Sequence, residues 1–350
     1  MKRQGFVSRL PQFRVTVNSR CGRACFFCRP SGEAVATVAA AELAVDELVR
    51  VAAVVRRTGV GGIKLTGGDP ALYGPLEEAV RRLRQEAGFD EIEVISRHPL
   101  IGGRAAGLAG AGVTQFNMSV DTLDPVLHHE ICGVDDLPAV LDALGACVAT
   151  GVPVKVNTVV MAGVNDQELV ELAAFCERIG VHTLKLLDVI KDLDAGAESF
   201  ARRLAIKRGR AISDLYVPLD AIAARFWQTA VSTETRTQGG LGHPMTVLTM
   251  PSGFEVVTKD SRAGAWYGEV CNGCPFFPCH DALMALRLTA DRRLQFCLLR
   301  EDITVPLAKA LGTEDDAELT ALVHRAVETY ASATFRQSTP AVPLVAVSAS

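Results

Sequence analysis

From Phe13 to about Ile190 the chain alternates short β-branched runs with longer Ala/Leu/Val/Arg segments whose apolar positions recur with helical period. The short runs predict strands at Phe13–Asn18, Gly62–Thr66, Glu91–Ser96, Thr114–Ser119, Val152–Val160 and His182–Asp188. Helices are predicted near Ala40–Arg57, Gly74–Ala87, Gly102–Ala109, Leu137–Thr150 and Asp166–Ile179. Repetition of this kind builds a parallel sheet with crossover helices. Six strand–helix units fall short of the eight that close a full barrel. The fold expected is therefore α/β, a partial (β/α)6 TIM-like barrel with its function at the C-terminal ends of the strands.

Beyond Ile190 the period changes. A charged segment runs through Arg210, and a helix is predicted near Leu219–Ser232. Two hairpins follow, Met245–Met250 with Phe254–Lys259 around Pro251-Ser252-Gly253, and Ala285–Thr289 with Leu294–Leu298 around Asp291-Arg292-Arg293. A last helix is predicted from about Glu314 to Tyr330. The division expected is an N-terminal extension at 1–12, the barrel at 13–190, a C-terminal region at 191–330 and a flexible tail at 331–350.

Composition adds bounds. The chain has 350 residues, 36 Lys+Arg against 40 Asp+Glu and a net charge of −4, which excludes binding of nucleic acid or anionic membrane through bulk positive charge. No run of about 18 apolar residues occurs, and no signal-peptide core follows Met1-Lys2-Arg3-Gln4, so the cytoplasm is the expected location. Ten cysteines are too many for structural disulfides in a reducing compartment, and clustering there reads as metal binding. Cys132, Cys147 and Cys176 stand alone and are expected as small buried hydrophobes.

Cys21-x-x-x-Cys25-x-x-Cys28 places three thiols in one tight loop just after the first strand. A structural zinc would need a fourth ligand, and none lies nearby in sequence, so a cluster with one open iron fits better. Cys271, Cys274, Cys279 and Cys297 form a second group, open to an iron–sulfur cluster or to a four-thiolate zinc. The His128-His129 pair follows a helix start at Asp124-Pro125 and is expected on an exposed helix face.

The Cys21-Gly-Arg-Ala-Cys25-Phe-Phe-Cys28 loop, with aromatic Phe27 before the last cysteine, resembles the signature of the radical S-adenosylmethionine (SAM) superfamily. The resemblance implies a [4Fe-4S] cluster whose open iron chelates SAM, and a 5′-deoxyadenosyl radical as the reactive species. Leu65-Thr66-Gly67-Gly68-Asp69-Pro70 is similar to the superfamily's Gly-Gly-Glu-Pro motif, which implies that Gly67, Gly68 and Asp69 contact SAM, with Asp replacing the usual Glu.

Within the superfamily the span from Arg14 to Leu299 resembles the GTP cyclases of molybdenum-cofactor biosynthesis. Asn117-Met-Ser119-Val-Asp121 is similar to a segment whose serine lies near SAM, and the segment from Lys155 to Asp166 resembles the family's fifth strand. The resemblance implies substrate-phosphate contacts at Arg14 and Lys155. Leu286-Arg287-Leu288-Thr289-Ala290-Asp291 resembles the region that follows a Cys-x-x-Cys pair, which with a third cysteine holds an auxiliary [4Fe-4S] cluster. It implies that Arg287 is half of an Arg-x-Arg clamp, with Ala285 at the other place. The cysteine spacing is longer than in the family, so the auxiliary cluster has either three ligands, with Cys279 a bystander, or four.

With Lys64, the cations Arg14, Lys155 and Arg287 form an expected cationic lining suited to a phosphorylated or carboxylated substrate. The expected activity is hydrogen abstraction followed by carbon–carbon bond formation or cyclisation on a small nucleotide-like substrate. The alternatives are modification of a ribosomal peptide and GTP cyclisation itself. The expected partners are that small molecule and an external electron donor such as flavodoxin or ferredoxin, with no nucleic acid and no membrane.

Overall fold

A computed structural model describes residues 10–25, 27–28, 41–191, 209–238, 241–279, 283–300 and 302–337. All six predicted strands form: β1 (Gln12–Thr16), β2 (Gly62–Thr66), β3 (Glu91–Ser96), β4 (Gln115–Ser119), β5 (Val154–Val159) and β6 (Thr183–Leu187), paired in parallel in that order. The helices α1 (Val45–Arg57), α2 (Leu76–Gln85), α3 (Leu100–Ala111), α4 (Pro125–Cys132), α5 (Leu137–Ala149) and α6 (Leu169–Arg178) connect them.

Each strand splits its residues between two environments, as a period of two requires. Phe13 and Val15 of β1 are fully buried toward the helices, while Arg14 and Thr16 take the other face. On α1 the matching stripe is Leu48, Val51, Ala52 and Val55, all fully buried, with Asp46 and Glu47 in the first turn and Arg56 and Arg57 in the last. On α4, Asp124 caps the first turn by accepting from the Val126 and Leu127 amides, and Gly133 ends the helix at φ 78°.

The C-terminal region does more than append hairpins. Short α7 (Leu219–Ala223) leads to β7 (Ser232–Gln238), β8 (His243–Thr249) and β9 (Glu255–Lys259). Strand β9 docks parallel to β6, and β8 and β7 follow antiparallel. After β10 (Ala265–Tyr267), β11 (Ala285–Leu288) docks parallel to β1 on the other edge, followed by β12 (Arg293–Gln295) and β13 (Thr304–Pro306). Among the described residues the sheet therefore contains eight parallel strands, β11-β1-β2-β3-β4-β5-β6-β9, two more than the pattern predicted.

Helices α8 (Ala308–Leu311) and α9 (Ala317–Glu328) follow, and Tyr330 just beyond them donates its hydroxyl to the Ala285 carbonyl at 2.9 Å. β14 (Thr334–Arg336) pairs antiparallel with β10. It falls in the segment expected as a loose tail, of which 338–350 lie outside the described residues, as do 1–9 of the expected extension and 192–208 of the charged segment.

Two local expectations shift. The first helix starts at Val45 rather than near Ala40, because residues 41–43 are extended against the end of β1, with Ser19 and Leu43 amides donating to Ala41 and Val17 carbonyls; Ala40 lies outside the described residues. The helix expected to Ser232 closes after Ala223, and the alternating, Thr-rich Ser232–Gln238 forms β7 instead. Among the described residues no helix is long and apolar enough to cross a membrane.

His243 on β8 is 3% exposed and its Nε2 lies 3.1 Å from the Asp260 carbonyl. Burial, reinforced by Lys259, pushes its pKa down to about 3. Between that value and the ordinary histidine pKa of about 6.5, only the unfolded chain binds the proton, so stability present above about pH 6.5 is lost as pH falls. In urea unfolding, the wild type should lose about 2 kcal/mol from this site between about pH 7 and about pH 5, and His243→Gln should lose correspondingly less. Equal losses would show that His243 does not carry the effect.

Candidate active site: two cysteine groups beside a cation-lined barrel

Residues leaving β1 and β2 meet at the C-terminal edge of the sheet. Val17 donates to the Thr66 carbonyl at 2.9 Å, Gly68 to Asn18 at 2.8 Å and Asp69 to Arg20 at 2.6 Å, while the Asn18 side-chain amide donates to the Asp69 carbonyl at 3.0 Å. This ladder clamps the chain immediately before Cys21. A Cβ on Gly67 would stand 2.9 Å from the Asn18 carbonyl, and one on Gly68 would overlap the Arg20 backbone. Only hydrogen fits at either position. The backbone these glycines approach is that of the residues leading into the cysteine loop.

Asp69 is 2% exposed. Its carboxylate accepts from the Ala71 amide at 2.9 Å, the Ser96 hydroxyl at 2.6 Å and the Arg97 and His98 amides at 2.9 and 3.1 Å. Both oxygens are engaged, so Asp69 acts as a positioning residue that ties the turn after β2 to the end of β3.

Arg97, unnoticed in the sequence, continues from that junction. Its Nη1 lies 3.4 Å from Cys25 Sγ, its Nη2 donates to Asp121 Oδ2 at 2.8 Å, and its guanidinium lies 5.6 Å from the centroid of the Phe27 ring. Burial pushes the Cys25 thiol up to about 11 against the opposing pull of Arg97, and burial followed by Asp69 raises Cys21. Loading iron on these thiols therefore displaces protons.

Arg23, inside the cysteine loop, forms a two-point bridge to Asp136 at 2.9 and 2.6 Å. His128 Nε2 lies 3.0 Å from the same carboxylate and 3.2 Å from Cys132 Sγ, and the Ala24 amide donates to the Cys132 carbonyl at 2.9 Å. Two expectations are corrected here. His128 is buried in this network, because it lies on the face of α4 turned toward the loop, and only His129 is exposed. Cys132 is buried as expected but hydrogen-bonded, whereas burial alone raises Cys147 and Cys176 to about 12.

The inner face of the barrel carries charge. Register places Arg14 beside both Arg287 and Lys64, Lys64 beside Glu93, Asn117 beside Lys155, and Asn157 beside both Ser119 and Lys185. Lys64 pairs with Glu93 at 2.9 Å, Asn117 donates to the same Glu93 oxygen at 2.8 Å, and Lys155 donates to Gln115 at 3.2 Å. The four cations expected from sequence thus line one lumen, Arg14, Lys64 and Arg287 within their strands and Lys155 near the start of β5.

Lys185 and Lys259 join them on β6 and β9. Burial lowers the Lys64 and Lys155 pKa values despite Glu93; for Lys185, burial followed by Lys259, Lys155, Lys64 and Arg14 drives it well below the usual lysine range. For Glu93 the burial effect is outweighed by Lys64 and Lys155, which hold its carboxyl below the usual range. A single lysine inside the apolar run of β6 was the available signal for Lys185, whereas Lys259 at the end of β9 offered none.

Cys271, Cys274, Cys279 and Cys297 line one cavity together with Phe276, Phe296, Leu299 and Arg300. Cys271 donates its amide to Gly268 and Cys274 to Cys271, forming a tight knuckle. No disulfide joins any of the ten thiols, and among the described residues no three Cys, His or carboxylate groups converge on a single-ion site. An apolar cluster built on Ile131, Met161, Val189, Ile212, Leu215 and Leu299 borders both cysteine groups, since Phe27, Cys279 and Cys297 all pack on it. The two thiol sets are the donor chemistry of two clusters facing a shared apolar wall.

A family model described as the radical SAM superfamily matches residues 15–176. Over 315 residues the chain is 30% identical to the GTP 3',8-cyclase of Pelotomaculum thermopropionicum, with 87% of each chain covered. It is 26% identical to the probable GTP 3',8-cyclase of Thermococcus kodakarensis, with 90% of this chain and 93% of that one covered. The structure of Streptococcus suis SuiB bound to S-adenosylmethionine is similar with a TM-score of 0.57 at 13% identity, over 87% of this chain and 64% of SuiB, a likeness of fold alone.

Gly68→Ala should separate the cysteine loop from the turn after β2. Iron bound after anaerobic reconstitution should then fall by about half, because only the N-terminal site is lost; full iron content would show that the close approach is dispensable. Arg97→Gln removes a cationic donor from a cluster sulfur and should lower the reduction potential of the N-terminal cluster, read by EPR-monitored titration. An unchanged potential would place Arg97 in a purely structural role.

Proposed function

We propose a reaction on the premise that the chain belongs to the radical SAM superfamily and, within it, to the family of GTP 3',8-cyclases. It is a radical SAM enzyme. The substrate is a phosphorylated small molecule, a nucleotide, and the reaction is hydrogen abstraction followed by carbon–carbon bond formation or cyclisation. The observation that carries this reading is the lumen, where Arg14, Lys64, Lys155, Lys185, Lys259 and Arg287 share one face of the sheet with Glu93, which pairs with Lys64, and with Glu91 and Glu255 at the strand starts. Gathering like charges at partly buried positions is costly unless an anion joins them, and a nucleotide polyphosphate supplies that charge.

Cys21, Cys25 and Cys28 hold the [4Fe-4S] cluster that binds SAM, and the C-terminal cysteines hold the auxiliary [4Fe-4S] cluster. When bound, SAM and its cluster supply one-electron chemistry that yields a hydrogen-abstracting radical, with the electron coming from a flavodoxin- or ferredoxin-type donor. The chain's own residues position and exclude. Gly67 and Gly68 let the turn lie against the cysteine loop, and Ser119 and Asn157 face the same lumen. Arg14, Lys64, Lys155 and Arg287 fix the phosphates, and the apolar wall of Met161, Val189 and Leu299 keeps water from the reacting carbon.

Where the resemblance places a second clamp arginine, Ala285 is fully buried beside Gln12. Lys185 and Lys259 add cations on the opposite arc of the barrel. Together with Lys155 they extend the anion-binding lining from Arg14 and Arg287 toward β6 and β9.

Anaerobically reconstituted protein should carry about eight iron atoms per chain, and the Cys21→Ala/Cys25→Ala/Cys28→Ala variant about four with no SAM cleavage. Mass spectrometry of 5′-deoxyadenosine should show that one nucleotide of a panel including GTP accelerates its formation. Lys155→Ala should lose that acceleration at least tenfold, about 1.4 kcal/mol, while keeping its iron. Cleavage that no nucleotide stimulates would overturn the substrate class.

A further inference from the structure

We propose that Cys279 is the fourth thiolate of the auxiliary cluster, so that Cys271, Cys274, Cys279 and Cys297 occupy every iron corner and leave none open to the substrate. The inference rests on the reading of the C-terminal cysteines as an iron–sulfur site. Three of them would leave one iron exposed, and the question is whether Cys279 is a wall residue or a ligand.

Its packing places it beside Cys271 and Cys297. With Cys271 it borders the small cluster of Ala265 and Tyr267, and with Cys297 it borders the cluster that includes Met161 and Leu299. All four cysteines line the same cavity. The Tyr267 hydroxyl donates to the Cys279 carbonyl at 2.8 Å, and the Tyr267 ring meets Phe277 edge-on at 4.9 Å, which fixes the residue at the cavity wall. Apart from Tyr267 and Arg300, the other described wall residues are aliphatic or aromatic. Arg300 bonds Cys274 and is itself held by Asp302 at 2.9 Å, a cation suited to the negative charge that a further thiolate adds.

A closed cluster changes what the substrate can use. With no open iron, its anionic groups are held by the lumen cations, and the auxiliary cluster contributes electron transfer or support rather than coordination.

The test uses the full chain carrying Cys21→Ala/Cys25→Ala/Cys28→Ala, reconstituted with iron and sulfide so that only the auxiliary cluster is present, reduced, and probed with 13C-cyanide by electron–nuclear double resonance. The expected result is about four iron atoms per chain and no 13C coupling. Adding Cys279→Ala should open one iron and produce that coupling, and Cys279→Ser should keep the cluster with altered g-values. A 13C coupling already present with Cys279 in place, and unchanged by Cys279→Ala, would overturn the inference while leaving the cluster reading intact. Protein that takes up zinc and no iron would overturn both.

Discussion

The molecule depends on a contact that admits no side chain. Gly68 lies so close to the Arg20 backbone that hydrogen alone fits, and three backbone hydrogen bonds from Val17, Gly68 and Asp69 stitch the end of β1 to the end of β2. Parallel strands make this possible, because their C-terminal ends are level and the chains leaving them run side by side. Asp69 then carries the connection to β3 through Ser96, Arg97 and His98, and Arg97 carries it to Cys25 and Asp121. The position of three thiols is thereby referred to four strands of the sheet.

The barrel divides its labour by face. Outward-facing residues such as Phe13, Ile63, Val94 and Phe116 are fully or almost fully buried under the helices and supply the stability. The inward face gives up much of the apolar filling that a closed barrel would place there and holds Arg14, Lys64, Glu93, Lys155 and Lys185 instead. Electrostatic strain is accepted on the inner face, and the outer layer compensates for it.

Much of this was legible in the sequence, and the failures have physical causes. Strands β1 to β6 were visible because a period of two differs sharply from 3.6, and the same signal found both C-terminal hairpins. What the hairpins could not disclose was that β9 adds to β6 and β11 to β1, since parallel pairing between distant segments leaves no local trace. Arg14, Lys155 and Arg287 were found through motif resemblance. Lys185 and Lys259 carried no motif and resembled solvated charges, and Arg97 acquires meaning only from Cys25 and Asp121, which the fold brings to it. His128 was misplaced because one helical turn decides between burial and exposure, and the deciding partners, Asp136 and Arg23, lie outside that turn.

The pairing of β1 with β11 bears on the order in which the molecule is made. Gln12 is synthesised long before its partner Ala285, so β1 emerges from the ribosome with one hydrogen-bonding edge unsatisfied and keeps it while the intervening chain follows. An unprotected parallel edge is prone to aberrant pairing, and this one lies directly before the Cys21 loop. The nascent chain thus has the Cys21 loop beside its least protected strand until β11 is made and docks, which makes that interval the vulnerable one for misassembly.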